Sequence, residues 1–185
     1  GFKYIGEQIG LLEQKGMADS FIFGYEESFG YLAGNHTRDK DGVLAALLCA
    51  EMAAYYKEKG LTLPQVMEDL YKAYGYYKDV STFYLCEGPE GRAKILALAE
   101  TLRKLGTGLM DGLVKAEDYL PGLHGLAPEN LMKFYFENGS WIAARPSGTE
   151  PKMKVYYSIK GDSPADCEEK YLAYKAVLDR LVEAL

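Results

Sequence analysis

The sequence predicts an α+β protein made of two segments, and three features of the chain carry this prediction. Residues 1–60 alternate between helix-like and strand-like patterns, as layered α/β structures do. Residues 61–185 contain runs of β-branched and aromatic residues between helical patterns, which favours an antiparallel sheet with helices on one face. The dipeptide Asn138-Gly139 joins two of these runs and indicates a two-residue hairpin turn with positive φ at both positions.

The first segment is predicted to contain a helix, a short buried strand, a polar loop and a longer helix. Apolar residues recur at three- and four-residue steps before Gly16, which indicates an amphipathic helix that ends at a glycine. The apolar run 21–23 predicts the strand, and the polar stretch 24–30 predicts the loop. A broad apolar face then predicts a helix that begins near residue 43 and ends at Gly60.

The second segment is predicted to begin with a helix and to continue into a sheet. Thr62 is a candidate N-cap, Pro64 suits the first turn, and this helix ends at Gly75, so we expect the boundary between the segments near residues 57–61. Ser163 is predicted to cap a closing helix. A further helix is expected over residues 89–105, and strands are expected over residues 80–86, 131–136, 140–144 and 153–159.

The composition argues against several classes of function. The chain has 185 residues, with 21 basic and 27 acidic residues and a formal charge of −6, which suits neither a nucleic-acid backbone nor an anionic membrane. No apolar run approaches the roughly 20 residues of a membrane-spanning helix. Three widely spaced cysteines favour reduced thiols, and two histidines argue against a histidine-rich zinc site. The sequence therefore indicates a soluble, cytoplasmic protein.

The stretch 145–152, Arg-Pro-Ser-Gly-Thr-Glu-Pro-Lys, has the chemical groups of a phosphate cradle. Arg145 supplies a planar guanidinium, two hydroxyls add donors, and Gly148 lets backbone N–H groups approach an anion closely. Lys154 adds a second positive charge in the next strand. The alternative is a turn rich in Pro, Gly and Ser that only joins two strands.

Two further polar stretches are candidate binding segments. In residues 24–30, Gly-Tyr-Glu-Glu-Ser-Phe-Gly, carboxylates and a hydroxyl suit sugar hydroxyls, although a solvated acidic turn explains them equally. In residues 36–42, two aspartates suit the start of a helix, whereas Arg38 and Lys40 meet an unfavourable helix dipole there. A lysine near other cations is expected to have a lowered pKa and to act as a proton donor or acceptor. His36 lies in the same stretch, and a structural role is the alternative to a catalytic one for this residue.

These motifs, taken in order, resemble those of the α-D-phosphohexomutases. The matching stretches are 24–32, 38–42 and 145–152, and the chain is similar over essentially all its length to bacterial phosphoglucomutases that also resemble phosphopentomutases. The resemblance implies that residues 1–60 are the C-terminal portion of a third, sugar-binding α/β domain. Residues 61–185 would be the fourth, phosphate-binding domain, a sheet with helices similar to TATA-binding-protein folds.

The resemblance also implies roles for single residues. Lys40 matches a lysine of general acid/base or electrostatic function, with Arg38 and His36 in the same catalytic segment. Glu26 and Ser28 correspond to the loop that contacts sugar hydroxyls. The residues that correspond to the loop gripping the non-transferred phosphate, or that lie beside it, are Arg145, Ser147, Gly148, Thr149 and Lys154.

The reaction implied by the resemblance is an isomerisation of glucose 1-phosphate and glucose 6-phosphate through a bisphosphorylated sugar, with glucose 1,6-bisphosphate as activator or intermediate. Mg²⁺ is implied in another domain of the parent enzyme. The sequence has neither a Ser-His-Asn-Pro type phosphoserine loop nor an Asp-Gly-Asp-x-Asp-Arg metal loop, so this chain is expected to lack metal ligands and to be inactive alone. Its expected partners are a phosphorylated sugar and the N-terminal domains of the same polypeptide. Phosphopentomutase, phosphomannomutase and a non-catalytic phosphosugar-binding module remain as alternatives.

Overall fold

The computed structural model describes residues 1–26 and 29–185, which divide into two compact units. Unit 1 is Gly1–Asp69 and unit 2 is Leu70–Leu185. This division falls later in the chain than residues 57–61, and the boundary expected there stays a prediction. The predicted sugar-binding residue Ser28 lies outside the described residues.

Unit 1 is built from helices and one antiparallel hairpin. The sequence prediction of a strand over 21–23 and a loop over 24–30 is wrong in its limits, because the first strand runs into the predicted loop and a second strand follows it. Tyr25 pairs with Tyr31 across this hairpin. The elements are α1 (Lys3–Gln14), β1 (Phe23–Glu26), β2 (Gly30–Ala33) and α2 (Gly42–Glu58).

The core of unit 1 is small. Phe2, Ile9 and Leu32 are its buried hydrophobic residues, with Ile5 and Phe21 packed against them. The first helix therefore has the amphipathic character that was predicted. In contrast, the strand predicted as buried and the broad apolar face of α2 are largely open, and their exposed apolar residues are Ile22, Phe23, Val43, Leu47, Met52 and Tyr55.

Helix α3 (Leu63–Tyr74) spans the division between the units. Its start is held by the side chain of Gln65, whose Oε1 accepts hydrogen bonds from the Thr62 backbone N–H at 2.8 Å and from the Thr62 hydroxyl at 2.9 Å. The helix ends before Gly75, whose φ of +98° favours glycine. The predicted helix is thus confirmed, although Thr62 acts here as a donor to Gln65.

Unit 2 contains a five-stranded sheet in which every neighbouring pair is antiparallel, in the order β3-β7-β6-β5-β4. Strand β3 begins earlier than predicted, and the edge strand β4 was not predicted, because its Leu-Val-Lys-Ala-Glu-Asp sequence has no clean alternation. The strands are β3 (Tyr76–Leu85), β4 (Leu113–Asp118), β5 (Met132–Phe136), β6 (Trp141–Pro146) and β7 (Lys152–Gly161).

Two helices cover one face of this sheet and enclose the main core, which confirms the predicted α+β class. Helix α4 (Gly91–Leu105) contributes Ile95, Leu98 and Leu102, and α5 (Pro164–Glu183) contributes Cys167, Tyr171 and Leu178. As predicted, α5 begins at a Ser163 cap, whose Oγ accepts from the Asp166 backbone N–H at 3.1 Å. The sheet residues that alternate with the core positions point to the opposite face. Among them are Lys133, Tyr135, Trp141, Arg145 and Lys154.

The hairpin between β5 and β6 differs from the predicted two-residue turn. Of the dipeptide Asn138-Gly139, only Gly139 has a positive φ, at +89°. The Gly139 N–H donates to Phe136 O at 3.0 Å, and the Phe136 N–H donates to Ser140 O at 2.9 Å. This is a turn followed by a glycine in the left-handed region, the bulged form of hairpin connection, so the glycine alone carries the conformational requirement.

Within the part of the chain that the structure describes, no helix is both long enough and apolar enough to cross a membrane.

Candidate functional site

The loop between β6 and β7 presents basic side chains from both of its flanking strands. Arg145 near the end of β6 is the register partner of Lys154 in β7, so the two side chains lie on the same face of the sheet, opposite the helices. The Arg145 guanidinium is partly exposed, and its Nη1 lies 3.8 Å from Glu129 Oε1. The sequence did not indicate Glu129, because it lies in a separate loop that only the fold brings beside β6.

The loop backbone turns around the side chain of Ser147. The Ser147 N–H donates to Lys152 O at 2.8 Å and closes the loop. Ser147 Oγ in turn accepts from the N–H groups of Thr149 at 3.4 Å and Glu150 at 3.3 Å, both of which are long distances for hydrogen bonds. Two backbone N–H groups therefore make weak hydrogen bonds to one hydroxyl oxygen. An oxygen of a bound anion can take the place of that hydroxyl as their acceptor.

Gly148 leaves the mouth of the loop open. A Cβ built at this glycine would meet nothing within 4 Å, and its φ does not lie in the left-handed region. Neither packing nor backbone conformation therefore requires glycine here. The open space is what close approach of a ligand to the backbone would require.

A second guanidinium reaches the loop from the helix layer. Arg92, in the first turn of α4, donates from Nη1 to Gly148 O at 3.1 Å. Sequence reasoning missed Arg92, because it lies in a helix far from the loop motif along the chain.

In unit 1, the predicted sugar-binding and catalytic residues are partly brought together. Lys40 Nζ lies 3.0 Å from Glu26 Oε1, and the lysine is half exposed while the glutamate is largely shielded. Gly30 lies under this ion pair, because a Cβ there would be 2.7 Å from Glu26 Oε1 and 2.9 Å from Lys40 Cδ. The end of β1, the start of β2 and the segment before α2 therefore meet at one ion pair.

The expectation of a lowered pKa for Lys40 is wrong. The hydrogen bond and the charge of Glu26 raise the pKa of Lys40 above its ordinary value of 10.5. The sequence argument considered neighbouring cations along the chain, whereas the hairpin places a carboxylate directly against the ammonium. Lys40 therefore remains protonated at neutral pH and is suited to electrostatic assistance.

His36 and Arg38 make contacts of their own. His36 Nε2 lies 2.9 Å from Asp41 Oδ2, while Asp41 Oδ1 caps α2 by accepting from two backbone N–H groups. Arg38 pairs with Glu13 of α1 at 2.9 Å and donates to Asn35 O at 2.9 Å. These contacts explain both residues as links between α1, the polar segment and α2.

The residues that are described do not fit a metal ion. Among residues 1–26 and 29–185, no group of three or more His, Cys, Asp or Glu side chains is placed to hold one.

Comparison with known proteins gives two family matches in succession. Residues 1–74 match "Phosphoglucomutase/phosphomannomutase, alpha/beta/alpha domain III", and residues 86–166 match "Phosphoglucomutase/phosphomannomutase, C-terminal domain". A crystal structure of the exocytosis-sensitive phosphoprotein pp63/parafusin from Paramecium, titled as a phosphoglucomutase in an open form, shares the fold with a TM-score of 0.66. It is 23% identical in sequence, and the match covers 94% of this chain and 32% of that one.

Curated relatives align with nearly the whole chain. A phosphoglucomutase of Staphylococcus haemolyticus is 35% identical over 88% of this chain and 31% of its own length. A human glucose 1,6-bisphosphate synthase is 32% identical over 99% of this chain and 32% of its own length. The chain thus spans about a third of the length of the relatives it matches. Because two domain models of one family match in the order in which that family carries them, the chain belongs to the phosphoglucomutase/phosphomannomutase family.

Proposed function

We propose that this chain is the C-terminal part of a cytoplasmic phosphosugar mutase that interconverts glucose 1-phosphate and glucose 6-phosphate through a bisphosphorylated sugar. Within that enzyme, unit 2 grips the phosphate that is not being transferred. The single observation that carries this proposal is the loop between β6 and β7. There, the Arg145 guanidinium, the Lys154 ammonium and the backbone donors around Gly148 belong to one short connection between two central strands of the sheet.

The chemistry of this loop suits a phosphate dianion. A guanidinium makes paired hydrogen bonds to phosphate oxygens, and weakly bonded backbone N–H groups such as those of Thr149 and Glu150 stabilise an anion without carrying a charge themselves. Glu129 lies beside Arg145 and neutralises part of its charge. The 3.8 Å contact between Arg145 and Glu129 is long for an ion pair, so a phosphate that binds Arg145 displaces only a weak interaction.

Unit 1 contributes the contacts to the sugar in this proposal. Glu26 accepts hydrogen bonds from sugar hydroxyls, together with Ser28, and the protonated Lys40 assists electrostatically. A carboxylate repels phosphate but accepts hydroxyl protons, so Glu26 selects among sugars. The roles of His36 and Arg38 are to hold the segment that carries Lys40.

The second candidate activity is synthesis of a sugar bisphosphate. The observation that favours it is the similarity to the human glucose 1,6-bisphosphate synthase over 99% of this chain. Both activities need the same phosphate grip, so they share the assignment of Arg145. A mutase of pentose or mannose phosphates would differ from the proposal in the sugar that unit 1 prefers. A binding module without chemistry would differ in that no phosphoryl transfer follows binding.

The test is calorimetric titration of the 185-residue chain with glucose 1-phosphate. Arg145→Ala should weaken binding by about 1.5–3 kcal/mol, the usual effect of losing hydrogen bonds to a charged group. Arg180→Ala is the matched control, because Arg180 lies on α5 and donates only to Ala176 O among the described contacts. Equal affinities of the two variants would refute the phosphate grip. Ribose 5-phosphate and mannose 1-phosphate titrations then rank the sugars.

A further inference from the structure

Arg92 is well placed to orient the backbone of residues 147–151, the loop between β6 and β7 that is called the phosphate loop below because the proposed function gives it that role. Its guanidinium donates to Gly148 O, so the peptide group that joins Gly148 to Thr149 is held from the helix side. In a trans peptide the C=O and the following N–H point in opposite directions. Holding the carbonyl towards Arg92 therefore aims the Thr149 N–H away from α4, towards the side where Ser147 Oγ lies.

Two other carbonyls of the loop accept hydrogen bonds from backbone donors. Glu150 O accepts from the Lys152 N–H at 2.8 Å, and Pro151 O accepts from the Cys86 N–H at 3.0 Å. Gly148 O is held by a side chain instead. A carbonyl oxygen that turned towards a bound anion would repel it, so this contact removes one unfavourable orientation of the loop.

The base of Arg92 is fixed against the same loop. Its neighbour Gly91 packs so closely that a Cβ there would lie 1.8 Å from Cys86 O and 3.2 Å from Pro151 Cβ. The first residue of α4 therefore packs directly against Pro151 at the end of the loop. Arg92 donates directly to the loop backbone, so its charge lies against the loop.

We propose that Arg92 is a positioning residue of the phosphate loop, which holds the Gly148 carbonyl so that the Thr149 N–H faces the anion. This inference rests on the proposed function, because it assumes that the loop binds phosphate. It differs from a direct phosphate contact in one respect: the variant should change the loop before any ligand is added.

The experiment compares Arg92→Met, Arg92→Lys and Lys94→Met in the 185-residue chain. Lys94 lies in the same turn of α4, so its substitution removes the same charge without touching Gly148. Inorganic phosphate is titrated at constant ionic strength, and amide NMR signals of Gly148 and Thr149 are recorded with and without phosphate. Circular dichroism checks that each variant is folded.

Arg92→Met should weaken phosphate binding about tenfold, the scale of one lost charge-assisted hydrogen bond, and should shift the Thr149 amide signal in the free protein. Arg92→Lys should restore most of the affinity and the free-protein signal, because it retains a charged donor. Lys94→Met should change neither. If Arg92→Met behaves like Lys94→Met, or if it weakens binding without altering the free-protein signal, the positioning role is wrong.

Arg145→Ala separates this inference from the proposed function. If Arg145→Ala weakens phosphate binding while Arg92→Met does not, the phosphate grip stands and the role of Arg92 fails. If Arg145→Ala leaves phosphate affinity unchanged, the proposed function fails and the inference about Arg92 fails with it.

Discussion

Gly148 faces open space in the loop between β6 and β7, and a side chain there would project into that space. Gly148→Ala should leave the free energy of unfolding unchanged or raise it by up to about 1 kcal/mol, because no neighbour is displaced and the backbone needs no positive φ. It should nevertheless weaken phosphate binding severalfold, because the methyl group occupies the approach to the backbone donors.

Gly108→Ala is the control for this prediction, since a Cβ at Gly108 also meets nothing within 4 Å. Urea denaturation gives the stability of both variants, and calorimetry gives their phosphate affinity. Equal phosphate affinities of the two variants would show that the open space at Gly148 has no part in binding.

The Glu26–Lys40 pair shows why single positions are hard to assign from a motif. Both residues belong to motifs that the sequence singled out, yet their contact depends on the pairing of β1 with β2 and on a glycine at position 30. The sequence indicated that both were functional candidates. Only the fold shows that the pKa of Lys40 is raised rather than lowered, because it places Glu26 beside the ammonium.

Strand β4 is tied to the loop that follows it by a buried carboxylate. Glu117 accepts from Lys115 Nζ at 2.6 Å, Tyr135 OH at 2.7 Å, His124 Nε2 at 2.9 Å and Tyr119 OH at 3.0 Å. The lysine contact and the other hydrogen bonds hold the pKa of Glu117 well below its ordinary value of 4.5. The Glu129 N–H donates to Tyr119 O at 3.0 Å, so the segment that carries Glu129 adjoins this cluster.

Glu117→Ala should destabilise the chain by at least about 1.5 kcal/mol at neutral pH, because several donors lose a charged acceptor. The folded-state pKa is depressed, so the stabilisation is fully present above the ordinary value of 4.5 and is lost as the pH falls towards the folded-state pKa. The difference in free energy of unfolding between wild type and variant should therefore be constant from pH 7 to about pH 5 and smaller at about pH 3.5.

Urea denaturation at the three pH values measures this difference. Substitution of the exposed Glu169 by Ala is the control, and it should cost little at any of them. A Glu117→Ala cost that stays the same down to about pH 3.5 would contradict the role of the ionised carboxylate.

The two units differ greatly in the core that each one buries. Unit 2 encloses buried apolar residues from three strands, β5 to β7, and from two helices, α4 and α5, whereas unit 1 buries Phe2, Ile9 and Leu32. Because burial of apolar surface is the main favourable contribution to folding, unit 2 should be the more stable unit.

Guanidinium denaturation followed by two signals checks this expectation. The single tryptophan, Trp141, lies in unit 2, so its fluorescence reports that unit, while amide hydrogen exchange reports α1 and α2 of unit 1. The amides of α1 and α2 should exchange before the Trp141 signal changes. Protection of α1 and α2 that matches the protection of β5 to β7 would instead indicate one cooperative unit.

Local patterns in the sequence were sufficient for the α+β class, the helices and most strands of the sheet. Helix periodicity, caps such as Ser163 and turn glycines such as Gly139 act over a few residues, so they can be read along the chain. The motif around residues 145–152 was recognisable for the same reason. Strand β4 was missed because charged residues interrupt its alternation, and the β1–β2 hairpin was missed because its strands are only four residues long and each contains a glycine.

The tertiary structure alone decided which groups meet. Glu129 reaches Arg145 of β6, Arg92 reaches Gly148 in the loop after β6, and Glu26 reaches Lys40, all through contacts that only the fold creates. Such contacts depend on the packing of α4 against the sheet and on the strand register. Electrostatic interactions depend on the distance between charges in space and not on their separation along the chain. The tertiary structure therefore decides which partners these side chains have and how their charges interact.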